Sequence, residues 1–115
     1  MQLSRIDWPA IIARDGDDEL TFVASEESWV NDPGISAVQY WEDDVLIDRT
    51  GRRYHLDKME AGITRPYPAD RRLSLDELLG LIKRHAAASN TCCVDKIGFR
   101  NIDEGMAIVA SLVDD

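Results

Sequence analysis

No apolar run in this 115-residue chain approaches the ~20 residues a membrane-spanning helix needs. The opening residues, Met1-Gln2-Leu3-Ser4-Arg5-Ile6-Asp7, hold no apolar core of a secretory leader. Both absences predict a soluble, cytoplasmic protein with no membrane partner. Cysteine is nearly missing too, and Cys92 and Cys93 are adjacent, without the two-residue spacer of a zinc knuckle or redox pair. In a reducing compartment both stay thiols, one expected to pack inward and one to face out. The 2 histidines, His55 and His85, make no metal-type pair, and nothing local joins either to a cysteine as a nucleophilic dyad. There is no phosphate-cradling glycine loop and no nucleophile elbow. Arg49, Arg52, Arg53, Arg65, Arg71 and Arg72 sit in no recognised nucleic-acid motif. These gaps argue against an enzyme, against a resident cofactor and against nucleic acid as a partner.

What is present is charge, unevenly placed. The net charge is −9, but residues 1–48 carry 12 acids and 2 bases, for −10, while residues 49–100 carry 11 bases and 6 acids, for +5. Such a surface repels phosphates and favours basic partners, unless the two parts neutralise each other across the fold. The balance of 44% hydrophobic and 30% charged residues is that of a folded chain, long enough to bury a core without staples. No repeat or linker divides it, so residues 1–115 read as one domain.

The chain is organised around Trp8–Ala24, two apolar runs flanking Asp15-Gly16, a strong signal for a β-hairpin turn. A two-residue turn would pair Ile11 with Leu20, and a four-residue loop would pair Ile11 with Phe22. Either register puts Ile11, Ala13, Leu20 and Phe22 on one face and Trp8, Ala10, Ile12 and Val23 on the other. Both faces are apolar, which predicts strands covered on both sides, either by the 57–72 segment or by another molecule. Pro9 cannot donate to a ladder and suits a strand start or an edge.

Ser25 is the expected cap of a helical turn over residues 26–31, followed by a turn at Asp32-Pro33-Gly34. Ala37–Trp41 is rich in β-formers and is expected to be a strand. Val45–Ile47 and Arg53–Leu56 form a second hairpin, with Gly51 left-handed in its turn. Met59, Ile63 and Tyr67 are expected to lie over a sheet face. Ser74 and Glu77 have capping-box spacing, and Leu75, Leu78, Leu79, Ile82 and Ala86 follow as one stripe. Lys83, Arg84 and His85 suit that helix's negative end, and Gly80 implies close packing. Cys93, Ile97 and Phe99 are consistent with a short strand or an extended linker. Asn101 and Glu104 open a second helix to about Val113. Strands first and helices last predict an α+β fold: an antiparallel sheet of about five strands with the two C-terminal helices packed on one face.

Trp8-Pro9-Ala10-Ile11-Ile12, Asp15-Gly16-Asp17-Asp18-Glu19-Leu20, the Ser74 helix and Lys96-Ile97-Gly98-Phe99 together resemble a small family of uncharacterised proteobacterial proteins, a domain of unknown function. The resemblance spans most of the chain and implies an α+β fold of this size. It brings no activity, cofactor or catalytic residue.

Two acidic clusters and three tryptophans are the candidate functional residues. Asp15, Asp17, Asp18 and Glu19 offer oxygen to a hard cation, but they lack the alternate acids, central glycine and distant glutamate of a calcium loop. No metal ligands are therefore assigned. Glu42, Asp43, Asp44 and Asp48 would have to converge with them to make a two-carboxylate or metal site. Trp8, Trp29 and Trp41 either finish the core or form interface anchors. Three readings follow, in order. The first is a non-enzymatic protein-binding module whose acidic face, carrying Trp8, Trp29, Trp41, Asp17, Asp18 and Glu19, contacts a basic partner or a second copy. The second is an immunity- or inhibitor-type protein that covers a basic toxin or nuclease site. The third is a metal-dependent hydrolase using Asp15, Asp17, Asp18 and Asp43 or Asp44.

Overall fold

The computed structural model describes residues 6–69, 71–88 and 94–113. Strands β1 (Ala10–Ala13) and β2 (Leu20–Val23) meet around Asp15-Gly16, with Gly16 at φ +79°, where a side chain would be strained. Ile11 lies opposite Phe22 and Ala13 opposite Leu20, the register of the four-residue loop. The Asp17 N–H donates to the Arg14 carbonyl at 3.1 Å and closes the tip. β1 begins immediately after Pro9, so the proline takes no ladder position. β3 (Val45–Asp48) and β4 (Arg53–His55) form the second hairpin, its turn carrying Gly51 at φ +85° as expected.

β3 pairs with β1 as well as β4, placing Ile11 opposite Ile47. The sheet runs β2-β1-β3-β4-β7, every pairing antiparallel, with β7 (Tyr67–Pro68) at one edge. Pro68 is tolerated there because an edge strand has one side that needs no donor. β5 (Met59–Glu60) and β6 (Ile63–Thr64) make a separate two-stranded hairpin.

The helices are α1 (Glu26–Asn31), α2 (Pro33–Ser36), α3 (Leu75–Ala88) and α4 (Ile102–Val113). On one face of the sheet Ile11, Leu20, Val45 and Ile47 pack with Leu78 and Ile82 of α3 and Met106 and Val109 of α4. The two C-terminal helices thus cover one face of a five-stranded antiparallel sheet, and the fold is α+β. On the other face Ala10, Ile12, Val23, Leu46 and Tyr54 pack with Trp29 and Tyr40, flanked by Ile35 and Val38. Ile11 and Ile12 are both essentially fully buried, so adjacent residues of one strand each stabilise a different core by about 2 kcal/mol.

The cover over the second face differs from both alternatives raised by the sequence. Residues 25–41, not residues 57–72, form this layer. Ala37–Trp41 is not a strand: both neighbours of β3 are already strands, and Tyr40 instead sinks its ring into the core and donates its hydroxyl to the Ile35 carbonyl at 2.8 Å. Asp32-Pro33-Gly34 is the capped start of α2 rather than a plain turn, with Asp32 Oδ1 accepting from the Gly34 N–H at 2.9 Å. Met59 and Ile63 are exposed, and their hairpin touches the covering layer through Thr64, whose hydroxyl donates to the Val38 carbonyl at 2.9 Å. Val94–Lys96 is a 3₁₀ turn, and Ile97 and Phe99 pack on the helical core without forming a strand. Cys92 and Cys93 lie outside the described residues.

Close helix packing occurs at Gly105 rather than Gly80. A Cβ on Gly105 would lie 2.9 Å from Leu78 Cδ2, whereas one on Gly80 meets nothing nearer than Arg84 Nη1 at 3.6 Å. Gly80→Ala is therefore expected to stabilise the protein by about 1 kcal/mol through helix propensity, read as a higher urea midpoint; a lower midpoint would reveal crowding at this position.

Candidate functional site

The hairpin tip, the turn before β3 and the first turns of α3 surround a cleft of about 570 Å³. Ala13, Val45, Ile47, Leu73 and Leu81 supply its apolar surface. Its charged lining comes from three separate segments: Asp15, Asp17 and Asp18 on the tip, Asp43 on the turn, and Asp76 and Glu77 on α3. Arg14, Arg53 and Arg84 also line it, so carboxylates outnumber guanidiniums six to three. Gly80 lies in the α3 wall, where a longer side chain would narrow the opening.

Local chemistry fixes this rim. Asp44, only 2% exposed, accepts the Asp15 N–H and the Trp41 N–H, each at 2.8 Å, and Arg14 Nε lies 3.8 Å from it. That single carboxylate ties the tip to the turn bearing Asp43. On the opposite wall the capping box forms as expected, with reciprocal 3.1 Å bonds between Ser74 and Glu77. Arg71 grips Glu77 with two bonds of 2.7 and 2.9 Å, and these, followed by the Ser74 N–H, hold the Glu77 carboxyl down to about 2.

The acidic clusters therefore divide by task. Asp15, Asp43 and Asp76 carry no side-chain hydrogen bond or ion pair among the described residues. Asp17 caps the Glu19 N–H at 2.9 Å, and Asp18 lies 3.7 Å from Arg84 Nε. Asp44 and Asp48 are buried acceptors for backbone groups, Asp44 holding the tip through the Asp15 N–H and Asp48 serving the β3–β4 turn. Among the described residues, no three of His, Cys, Asp and Glu converge tightly enough to hold a metal ion. A calcium site needs six or more oxygens, so the rim suits a diffuse cation better than a coordinated one.

Of the residues singled out in sequence, Asp17 and Asp18 line the cleft and Glu19 is exposed beside it. The tryptophans separate. Trp29 is 0% exposed at the centre of the second core, which removes it as a contact for any partner. Trp8 is half-buried against the same core. Trp41 is 68% exposed, next to the turn that carries Asp43.

His85 also departs from expectation. It is 5% exposed, and its Nδ1 accepts the Leu20 N–H at 2.9 Å, satisfying an outward donor of edge strand β2. Burial pushes its pKa below the ordinary 6.5, against the opposing pull of Glu19 and Asp17. A neutral acceptor cannot complement the helix dipole as a cation, because protonated imidazole offers two donors and no acceptor. Since the unfolded chain binds this proton more readily, stability should fall as pH drops below about 6.5 toward the lower folded value. His85→Ala should cost about 2 kcal/mol by orphaning the Leu20 N–H and flatten that dependence. Urea midpoints at two pH values on either side of 6.5 check both, and an unchanged slope in the variant would assign the dependence elsewhere.

Asp76, Glu77 and Arg53 belong to the cleft, although the sequence does not single them out as site residues. The two acids read simply as first-turn residues of a capped helix. Arg53 had a readable signal: paired opposite Ile47, it places a charge on the apolar face of the sheet.

The family match runs over residues 8–109, and the family is described as a protein structure with unknown function. The chain belongs to this family, DUF4144. No curated protein matches it. Among solved structures it is similar to an NMR structure of a protein from Shewanella amazonensis, with a TM-score of 0.68 and 22% identity over 94% of this chain and 90% of that one. At that identity the likeness is one of fold. No helix among the described residues is long and apolar enough to cross a membrane.

Proposed function

We propose that this protein is a non-enzymatic binding module whose cleft receives a short basic segment of a partner protein in the cytoplasm. One observation carries the reading: carboxylates from three separate segments rim an apolar-floored cleft, and the side chains of Asp15, Asp43 and Asp76 have no hydrogen-bond or ion-pair partner among the described residues. A lysine or arginine stem lies along apolar surface while its cation stays among carboxylates. The cleft volume of about 570 Å³ falls within the range of small-ligand pockets, which favours a few extended residues over a helix or a folded surface. Electrostatic complementarity then governs encounter rate and choice of partner.

The test is calorimetric titration of the full chain with a lysine-rich peptide. Affinity should fall as salt rises, since the Debye length shrinks from ~10 Å at 0.1 M to ~3 Å at 1 M. The triple variant Asp15→Asn, Asp43→Asn, Asp76→Asn removes charges that make no side-chain hydrogen bond or ion pair among the described residues, at the cost of one favourable acid in the first turn of α3. At about 0.2–1 kcal/mol per exposed pair, it should weaken binding roughly tenfold. Equal affinity of variant and parent would remove the cleft from the reading.

A further inference from the structure

Arg53 does not fit a site that takes only cations. It stands on β4, half-buried, on the face of the sheet that carries Ile47, and it lines the cleft. The other two guanidiniums there are engaged: Arg14 lies near Asp44 and over the Tyr40 ring at 4.9 Å, and Arg84 lies near Asp18. Arg53 has no hydrogen-bond or ion-pair partner through its side chain among the described residues. A half-buried guanidinium that lines the cleft with its fork unfilled is arranged for a planar anion, and carboxylate is the anion it grips with two parallel bonds.

From this juxtaposition we infer that the cleft takes a carboxyl-terminal lysine or arginine, the side-chain cation among Asp15, Asp43 and Asp76 and the chain-terminal carboxylate on Arg53. The inference rests on the binding role proposed above and narrows it. A chain terminus is the occupant that best fits both charge and size. It presents a cation and a carboxylate within one residue, and a cleft of about 570 Å³ has room for only a short segment. An internal basic run would bring cations alone and leave Arg53 facing like charge. A free terminus also enters a cleft end-on, without a chain that must leave through the opposite wall.

The test uses the full chain and three probes: the tetrapeptide Gly-Ala-Leu-Lys as the free acid, the same peptide as its carboxyl-terminal amide, and an octalysine amide. The free acid should bind at least tenfold more tightly than the tetrapeptide amide. Arg53→Gln should abolish that preference by weakening the free acid without weakening the amide, and its urea midpoint should show that the variant is folded. Equal binding of free acid and amide, or a preference that survives Arg53→Gln, overturns the inference. In either case, salt-sensitive binding of octalysine amide that the Asp15, Asp43 and Asp76 variant loses leaves the binding role standing. If neither tetrapeptide nor octalysine binds, both fail together.

Discussion

Asp48→Ala is expected to lower the unfolding free energy by about 4 kcal/mol, the largest effect of any single polar substitution discussed for this chain. The Asp48 side chain is 0% exposed and serves the β3–β4 turn from within. One carboxylate oxygen accepts the Thr50 N–H at 2.9 Å, the Thr50 hydroxyl at 2.6 Å and the Arg52 N–H at 3.0 Å. The other accepts the Asp7 N–H and the Tyr54 hydroxyl, each at 3.3 Å. Burial, and after it the Asp48 charge, push the Tyr54 phenol above its usual range. Alanine would remove the shared acceptor of the Thr50 and Arg52 N–H groups at once, and a donor left unpaired away from water costs about 1–3 kcal/mol. Asp48→Asn keeps one acceptor oxygen and should lose only part of this, about 2 kcal/mol. Urea unfolding of the two variants beside the parent decides the matter. A loss below about 1 kcal/mol for alanine would mean that the turn's donors find other acceptors.

Trp29→Ala should cost about 3–5 kcal/mol, the usual penalty for emptying an aromatic from a packed core. Its ring is the largest fully buried side chain and the centre of the layer that α1 lays over Ala10, Ile12, Val23 and Leu46. Without it α1, only six residues long, has little else to hold it, since so short a helix is unstable unless packed. Trp41→Ala provides the contrast: at 68% exposure it should change stability by less than about 0.5 kcal/mol. Chemical denaturation separates the two, and comparable losses would contradict the layer assignment.

The contrast between these tryptophans marks what sequence alone could and could not deliver. Asp15-Gly16 and the alternation around it carried the first hairpin and its two apolar faces, because strand period and turn chemistry are local. The Ser74–Glu77 box was equally local and forms as its spacing requires. The cover over Ile12 and Val23 was not legible. Trp29, Ile35, Val38 and Tyr40 follow neither helical nor strand period, and their shared destination exists only after β3 has inserted between β1 and β4. Propensity misled at Ala37–Trp41 because no sheet position beside β3 was open.

The acids show the same limit at the candidate site. Asp43, Asp44 and Asp48 lie close together around one expected strand, yet one faces the cleft and two are buried acceptors with different duties. Nothing in residue type separates them. Asp43 meets the hairpin tip through a pin that Asp44 supplies, and Asp76 arrives from a helix thirty-three residues later in the chain. His85 stands near a helix end in sequence, while its role is set by β2, whose Leu20 N–H needs an acceptor.

The central claim is that basic chain binds in the cleft between the hairpin tip and α3. Backbone amide shifts of the isotope-labelled full chain, followed while Gly-Ala-Leu-Lys free acid is added, test it most directly. Shifts should concentrate at Asp15–Asp18, Asp43, Arg53 and Leu73–Leu81, and they should vanish in a Gly80→Leu variant that narrows the cleft without altering a charge. Shifts centred instead on Val30 and Trp41, or none up to millimolar peptide, would contradict it.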